Sequence, residues 1–202
     1  MKTLLTYIIL SVFLFSCSDQ SKKSAFEGTE KKQDTAPVGT LPLESIYMLS
    51  DTFQTQDNKP VTLSSFAGKP TVIGMIFTNC AYACPRLTAD IKSIEEKLKD
   101  VNGKVNFLLI SFDSERDQPA QLKKYATSIG LDNNWTLLHG NEEAVRTLSV
   151  LLNVQFEKDA EGNFSHSNII SVLNKNGILR FQKEGLEANH DQTISAIQEI
   201  LN

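Results

Sequence analysis

The sequence predicts an α/β domain, a central mixed β-sheet flanked by helices with a β-hairpin in front. Three observations carry that expectation. Residues 71–78 and 105–112 are near-continuous apolar, β-rich runs, as expected of strands buried on both faces. Stretches with a single apolar stripe, at helical spacing, separate and follow them. The chain then closes on a strand, a turn, a strand and an amphipathic helix.

Taken in order, Phe53–Thr55 and residues 61–63 flank Asp57-Asn58 and read as a hairpin. The buried run 71–78 follows. Pro85 suits the first turn of a helix to about Asp100, with Leu87, Ile91, Ile94 and Leu98 on one stripe, and Gly103 breaks it. The second buried run, 105–112, leads to a helix over 118–129, with Pro119 early and Gly130 as the stop. A short strand at 135–138 and a helix at 142–152 come next. Strands are predicted at 154–157 and Ile169–Leu173, and Asn174-Lys175-Asn176-Gly177 turns into another at 178–182. Asp191–Leu201 ends the chain as a helix. A βαβ half joined to a ββα half is the plan of a thioredoxin-like fold.

The 202 residues allow one ordinary domain and a leader. An apolar content of 41% is enough to close a core. A net charge of −4, with no basic block near the candidate site, argues against a nucleic-acid partner, since phosphate binding needs clustered Lys and Arg. Lys2 and the apolar residues 4–15 form a secretion signal too short for a membrane span, which needs about 20 apolar residues. The signal ends in Leu14-Phe15-Ser16-Cys17, which resembles a bacterial lipobox, so residues 1–16 are expected to be removed and Cys17 lipidated. Residues 18–40 are polar and read as a flexible tether with a mean reach of about 25 Å. The folded domain is expected over 41–202, in the bacterial cell envelope and facing its extracytoplasmic side.

Three cysteines is an odd number, and lipidation of Cys17 leaves Cys80 and Cys84 as one pair in an oxidising compartment. They lie in Cys80-Ala81-Tyr82-Ala83-Cys84-Pro85, at a strand-to-helix junction. Thiols at i and i+4 there face the same way, able to bridge or to bind one metal. A helix N-terminus also lowers thiol pKa values. A buried, inert pair is the alternative. Soft thiolates select Cu(I), Zn or iron–sulfur clusters, but the last two usually want four ligands, and this domain offers two sulfurs. A third ligand has to be a histidine or another side chain. His166 precedes the strand Ile169–Leu173, in the loop that approaches the redox pair in a thioredoxin plan. His139 reads as a sheet-end residue, and His190 as exposed or near a helix cap. Cys80, Cys84 and His166 would form a trigonal site with open coordination, suited to holding Cu(I) or Cu(II) and passing it on.

These features together resemble the SCO (SCO1/SenC) family of thioredoxin-fold copper-binding proteins. The likeness lies in residues 77–85 (FTNCAYACP), 111–119 (SFDSERDQP), His166-Ser167 ahead of a strand, and Asn174-Lys175-Asn176-Gly177. The resemblance runs from about Leu43 to the C-terminus. It implies that Cys80, Cys84 and His166 are copper ligands. It also implies delivery of copper to, or reduction of the cysteines of, the binuclear copper site of cytochrome c oxidase, with that enzyme's subunit and a thiol reductant as partners. Asp113, Arg116 and Asp117 match the family's D-x-x-R-D pattern, a charged turn and N-cap beside the site or a purely structural one. Where the family often has Pro and an acidic residue between its cysteines, this chain has Ala81, Tyr82 and Ala83, and Ser165 stands where Asp usually precedes the histidine.

The rival reading is an extracytoplasmic thiol–disulfide oxidoreductase without metal, a redox pair that reduces partner disulfides. Such enzymes generally carry Cys-x-x-Cys and a cis-proline facing it. This chain has a three-residue spacer and no proline after Pro119. A peroxidase is disfavoured because Thr78-Asn79-Cys80 lacks the spacing its nucleophile needs.

Overall fold

The computed structural model describes residues 41–98, 103–186 and 189–202. The expected signal, the lipidated Cys17 and the tether lie outside the described residues. In chain order the elements are β1 (Phe53–Thr55), β2 (Pro60–Val61), β3 (Thr71–Ile76), α1 (Ala83–Lys97), β4 (Asn106–Ser111), α2 (Pro119–Ser128), β5 (Trp135–His139), α3 (Glu142–Leu151), β6 (Phe156–Lys158), β7 (Phe164–His166), β8 (Ile169–Leu173), β9 (Leu179–Glu184) and α4 (Asp191–Leu201). Short 3-10 turns occupy Ile46–Met48 and Leu63–Phe66.

The central sheet has the order β2-β1-β5-β4-β3-β8-β9. β3, β4 and β5 run parallel, while β8 is antiparallel to β3 and β9 to β8. The sheet is therefore mixed, as the sequence predicts. Every residue of β3 is buried, which accounts for its unbroken apolar run. The leading hairpin joins the same sheet through β1, antiparallel to β5.

Helices α1 and α4 touch each other and pack on β3, β8 and β9, while α2 packs on β5. Leu87, Ile91 and Ile94 of α1 are wholly buried, the stripe read from their spacing. A Cβ on Gly74 would lie 2.8 Å from Ile91 Cδ1. The missing side chain lets α1 settle closely onto β3, and so fixes where the helix N-terminus falls.

The structure corrects two expectations and adds to a third. The strand predicted at 154–157 is displaced to β6 and does not enter the central sheet. It pairs instead with β7, a strand the sequence does not signal, in a separate two-stranded ribbon. α1 stops at Lys97, where the Leu98 N–H closes on the carbonyls of Ile94 and Glu95. His190, expected exposed or near a cap, does occupy the N-cap position of α4 but is buried, its Nε2 3.4 Å from Asp90 Oδ1 on α1. The Asp90 side chain that it faces is itself buried.

Candidate metal centre

Three segments meet beyond the carboxyl ends of β3 and β4, where sheets of this class gather function. The first is the loop Phe77-Thr78-Asn79-Cys80 leaving β3. It is held from below by Asp117, whose side chain is fully buried. Thr78 donates to it through its backbone N–H at 2.8 Å and its hydroxyl at 2.5 Å, and the Ser111 hydroxyl donates at 2.6 Å. Gln121 of α2 donates to Thr78 Oγ1 at 3.0 Å from the other side. The loop that carries Cys80 is thus tied to the end of β4.

The second segment is the N-terminus of α1. No side chain caps it in the usual way. The Cys84 N–H, one of the donors a helix start leaves free, points at Cys80 Sγ at 3.2 Å. Cys80 is half-buried and Cys84 fully buried, and both are free thiols. The Phe77 N–H reaches Cys84 Sγ at 3.4 Å. Burial pushes the Cys84 thiol well up from its ordinary value, and the nearby Cys80 and Asp117 add to this; the Phe77 N–H opposes it. The expected lowering of thiol pKa at a helix N-terminus is therefore overridden by desolvation at Cys84.

The third segment is the ribbon. His166, expected in a loop, sits in β7 opposite Phe156. Its Nδ1 lies 3.1 Å from the Ser167 carbonyl, which can only accept, so Nδ1 carries the proton. That fixes the tautomer with the Nε2 lone pair facing the sulfurs, 3.5 Å from Cys84 Sγ. Burial lowers the His166 pKa, partly offset by the bond to Ser167. One ligand atom from each of Cys80, Cys84 and His166 lies within 4.8 Å of the others. Among the described residues no other group of three such side chains converges. Two soft sulfurs and one imidazole nitrogen, with no carboxylate in the set, suit a soft cation that accepts three-coordination.

Aromatic rings that the sequence reading did not single out wall this site. Phe112 lies 5.0 Å from the His166 ring and stacks on Phe156 at 5.1 Å, and Phe77 meets His166 edge-on at 6.1 Å. Phe164 closes against both Phe77 and Phe112. The phenylalanine near the carboxyl end of each apolar run, Phe77 in 71–78 and Phe112 in 105–112, was the available signal. Tyr82, between the cysteines, points away and is 79% exposed. His139 and His190 are not among the converging ligands.

The charged trio sorts into two jobs. Asp117 holds the Cys80 loop. Asp113 and Arg116 pair with each other, and Arg116 Nη2 donates to the Gly162 carbonyl at the ribbon's turn. None of them caps α2, whose N-cap Gln118 makes no side-chain capping bond.

Comparison with known proteins places this geometry. The SCO1/SenC family model matches residues 46–202. A protein of Bacillus subtilis (strain 168) described as a SCO1 protein homolog is 32% identical over 155 residues, 73% of this chain and 79% of that protein. The structure of Bradyrhizobium japonicum ScoI with copper bound is 25% identical, covering 74% of this chain and 96% of that one with a TM-score of 0.65. BsSco, described with a disulfide switch and as a member of the Sco family of cytochrome c oxidase assembly proteins, is 32% identical, covering 74% and 90% with a TM-score of 0.65.

Proposed function

The chain belongs to the SCO1/SenC family, and from that we propose that it is a membrane-anchored copper metallochaperone, taking copper as cargo on Cys80, Cys84 and His166. The recipient is a copper site such as that of cytochrome c oxidase. The observation that carries this reading is the convergence of two free thiols and a tautomer-fixed imidazole within 4.8 Å. Supporting it are the relative solved with copper and the relative described as an oxidase assembly protein. Support for anchoring, and for an extracytoplasmic position at a bacterial membrane, comes from the apolar residues 4–15 and from Ser16-Cys17, which resemble a lipoprotein signal.

Each ligand has a distinct task. His166 offers a neutral nitrogen at neutral pH, because its protonated form is disfavoured by burial. Cys84 gives up a proton when copper binds, and Cys80 lies at the more open side, where an incoming thiolate of a partner can reach the cargo. The aromatic wall keeps competing water from the inner side. Oxidation to a Cys80–Cys84 disulfide removes both sulfurs from the donor set and switches loading off, so a thiol reductant is the second partner.

A pH dependence follows. The Cys84 thiol, raised by burial, is protonated through the neutral range, so copper has to displace that proton. Copper(I) affinity is expected to rise with pH, about tenfold per unit for each proton released. Competition against a chromophoric chelator between pH 6 and 8 measures it. A flat profile would contradict a buried, protonated Cys84 in the free site.

The second reading, a dithiol reductase, is favoured by the proximity of the two free sulfurs. In that reaction both thiols are oxidised to one disulfide while a partner disulfide takes up two electrons and two protons. Copper stoichiometry on the reduced chain beside His166→Ala separates the two. One copper per chain, held about 100-fold more weakly in the variant, supports the chaperone; outer partners of metal ligands already account for 10–100-fold. No retained copper in the reduced protein would leave the reductase.

A further inference from the structure

Among the described residues, the ribbon that carries His166 shares no ladder with the central sheet, and β6 and β7 pair only with each other. At its base, Ser167 and Gln155 exchange backbone and hydroxyl hydrogen bonds, and the Asn168 carbonyl accepts from Gly185. Its turn, from Asp159 to Asn163, reaches back to the loop between β4 and α2. The side-chain tie there is Arg116. Its Nε pairs with Asp113, and its Nη2 donates to the Gly162 carbonyl. The guanidinium also lies 5.8 Å over the ring of Phe164, two residues before His166 on the same strand.

We propose that Arg116 is a positioning residue for the metal, fixing through Gly162 and Phe164 how far the His166 imidazole stands from the two sulfurs. This rests on the reading of Cys80, Cys84 and His166 as the copper site.

Several features favour a positioning role over a surface ion pair. The Asp113 side chain is 1% exposed, so its carboxylate depends on the guanidinium and on the backbone N–H of Arg116, 3.3 Å away. A guanidinium holds a carboxylate and a carbonyl on separate nitrogens of one rigid planar fork, a fixed spacing that the single nitrogen of an ammonium does not provide. Gly162 is built to receive it. Its φ is +82°, and a Cβ there would meet Arg116 Nη1 at 3.2 Å. A second tie, Lys158 to Glu115 at 2.5 Å, is largely exposed at the Glu end and holds the ribbon only weakly. The inner aromatic contacts of Phe112 with Phe156, Phe164 and His166 set which face the ribbon presents, and Arg116 sets its height.

The test is copper(I) affinity and the copper(II)–thiolate absorption spectrum for the wild type, Arg116→Lys and Arg116→Ala. Each variant is also made together with His166→Ala. Both single variants are expected to bind about tenfold more weakly, as loss of an outer-sphere partner does, and to shift the thiolate band. In the His166→Ala background the Arg116 change is expected to add no further loss, because its effect runs through the imidazole. If Arg116→Ala does not fold, Arg116→Lys decides, since it keeps a cation beside Asp113. Folded variants with wild-type affinity and spectrum would overturn the proposal, as would an undiminished tenfold loss without His166. A wild type that holds no copper would remove the copper site itself, an outcome distinct from either.

Discussion

Replacing Cys84 with serine is expected to remove copper binding while leaving the fold in place. Cys84 is the most enclosed ligand: fully buried, 3.5 Å from His166 Nε2, and facing the Phe77 N–H. A serine hydroxyl still accepts from Phe77 and fills most of the same space, so the stability cost is modest, about 1 kcal/mol. The hydroxyl is a hard donor and stays protonated, so it offers a soft cation nothing in exchange. Retention of copper(I) is expected to fall by more than about 100-fold, beyond the loss caused by an outer-sphere change. Equilibrium dialysis with copper(I) under reducing conditions, beside a thermal melt, reads both quantities. Unchanged stoichiometry in a folded Cys84→Ser protein would end the two-sulfur account.

Asp117→Ala has the opposite profile, with its largest effect on stability. The Asp117 carboxylate accepts from the Thr78 N–H, the Thr78 hydroxyl and the Ser111 hydroxyl, with no exposure to solvent. Hydrogen bonds to a charged group contribute about 1.5–3 kcal/mol each, and truncation strands buried donors as well. The bonds are not additive, and a net loss of about 3 kcal/mol is expected. For a chain of this size that lowers Tm by about 10 °C. Asp117→Asn keeps an acceptor and is expected to lose roughly half as much. Copper affinity should weaken in both, because Thr78 leads directly into Cys80. A Tm within about 2 °C of wild type for Asp117→Ala would show that the Cys80 loop is held by other means.

The cysteines were legible in the sequence because their chemistry is local. A buried strand, a helix start and a proline at 85 bracket them within a few residues. His166 was legible only through topology, since nothing in its own neighbourhood marks it. Its strand, β7, was missed: Phe164-Ser165-His166 is too short, and too polar at its centre, to show an alternating pattern. The ribbon has no stretch of apolar chain to announce it. Its apolar face is supplied by Phe112 and Phe77 from 44 or more residues away in sequence, a contact that periodicity cannot reveal. The D-x-x-R-D pattern was visible, but its division of labour was not. Asp117 reaches back to Thr78 and Arg116 forward to Gly162, so three neighbouring residues serve two different ligand-bearing segments. The burial of His190 was equally hidden, because its surroundings include Asp90, 100 residues away on another helix.

The proposed function turns on a single copper site of two sulfurs and one imidazole nitrogen. X-ray absorption on the reduced chain loaded with one equivalent of copper(I) tests it most directly. A three-coordinate copper with two sulfur neighbours and one nitrogen neighbour is expected, with loss of the imidazole scattering pattern in His166→Ala. A copper bound by sulfur alone, or an imidazole signal that survives in His166→Ala, would contradict it.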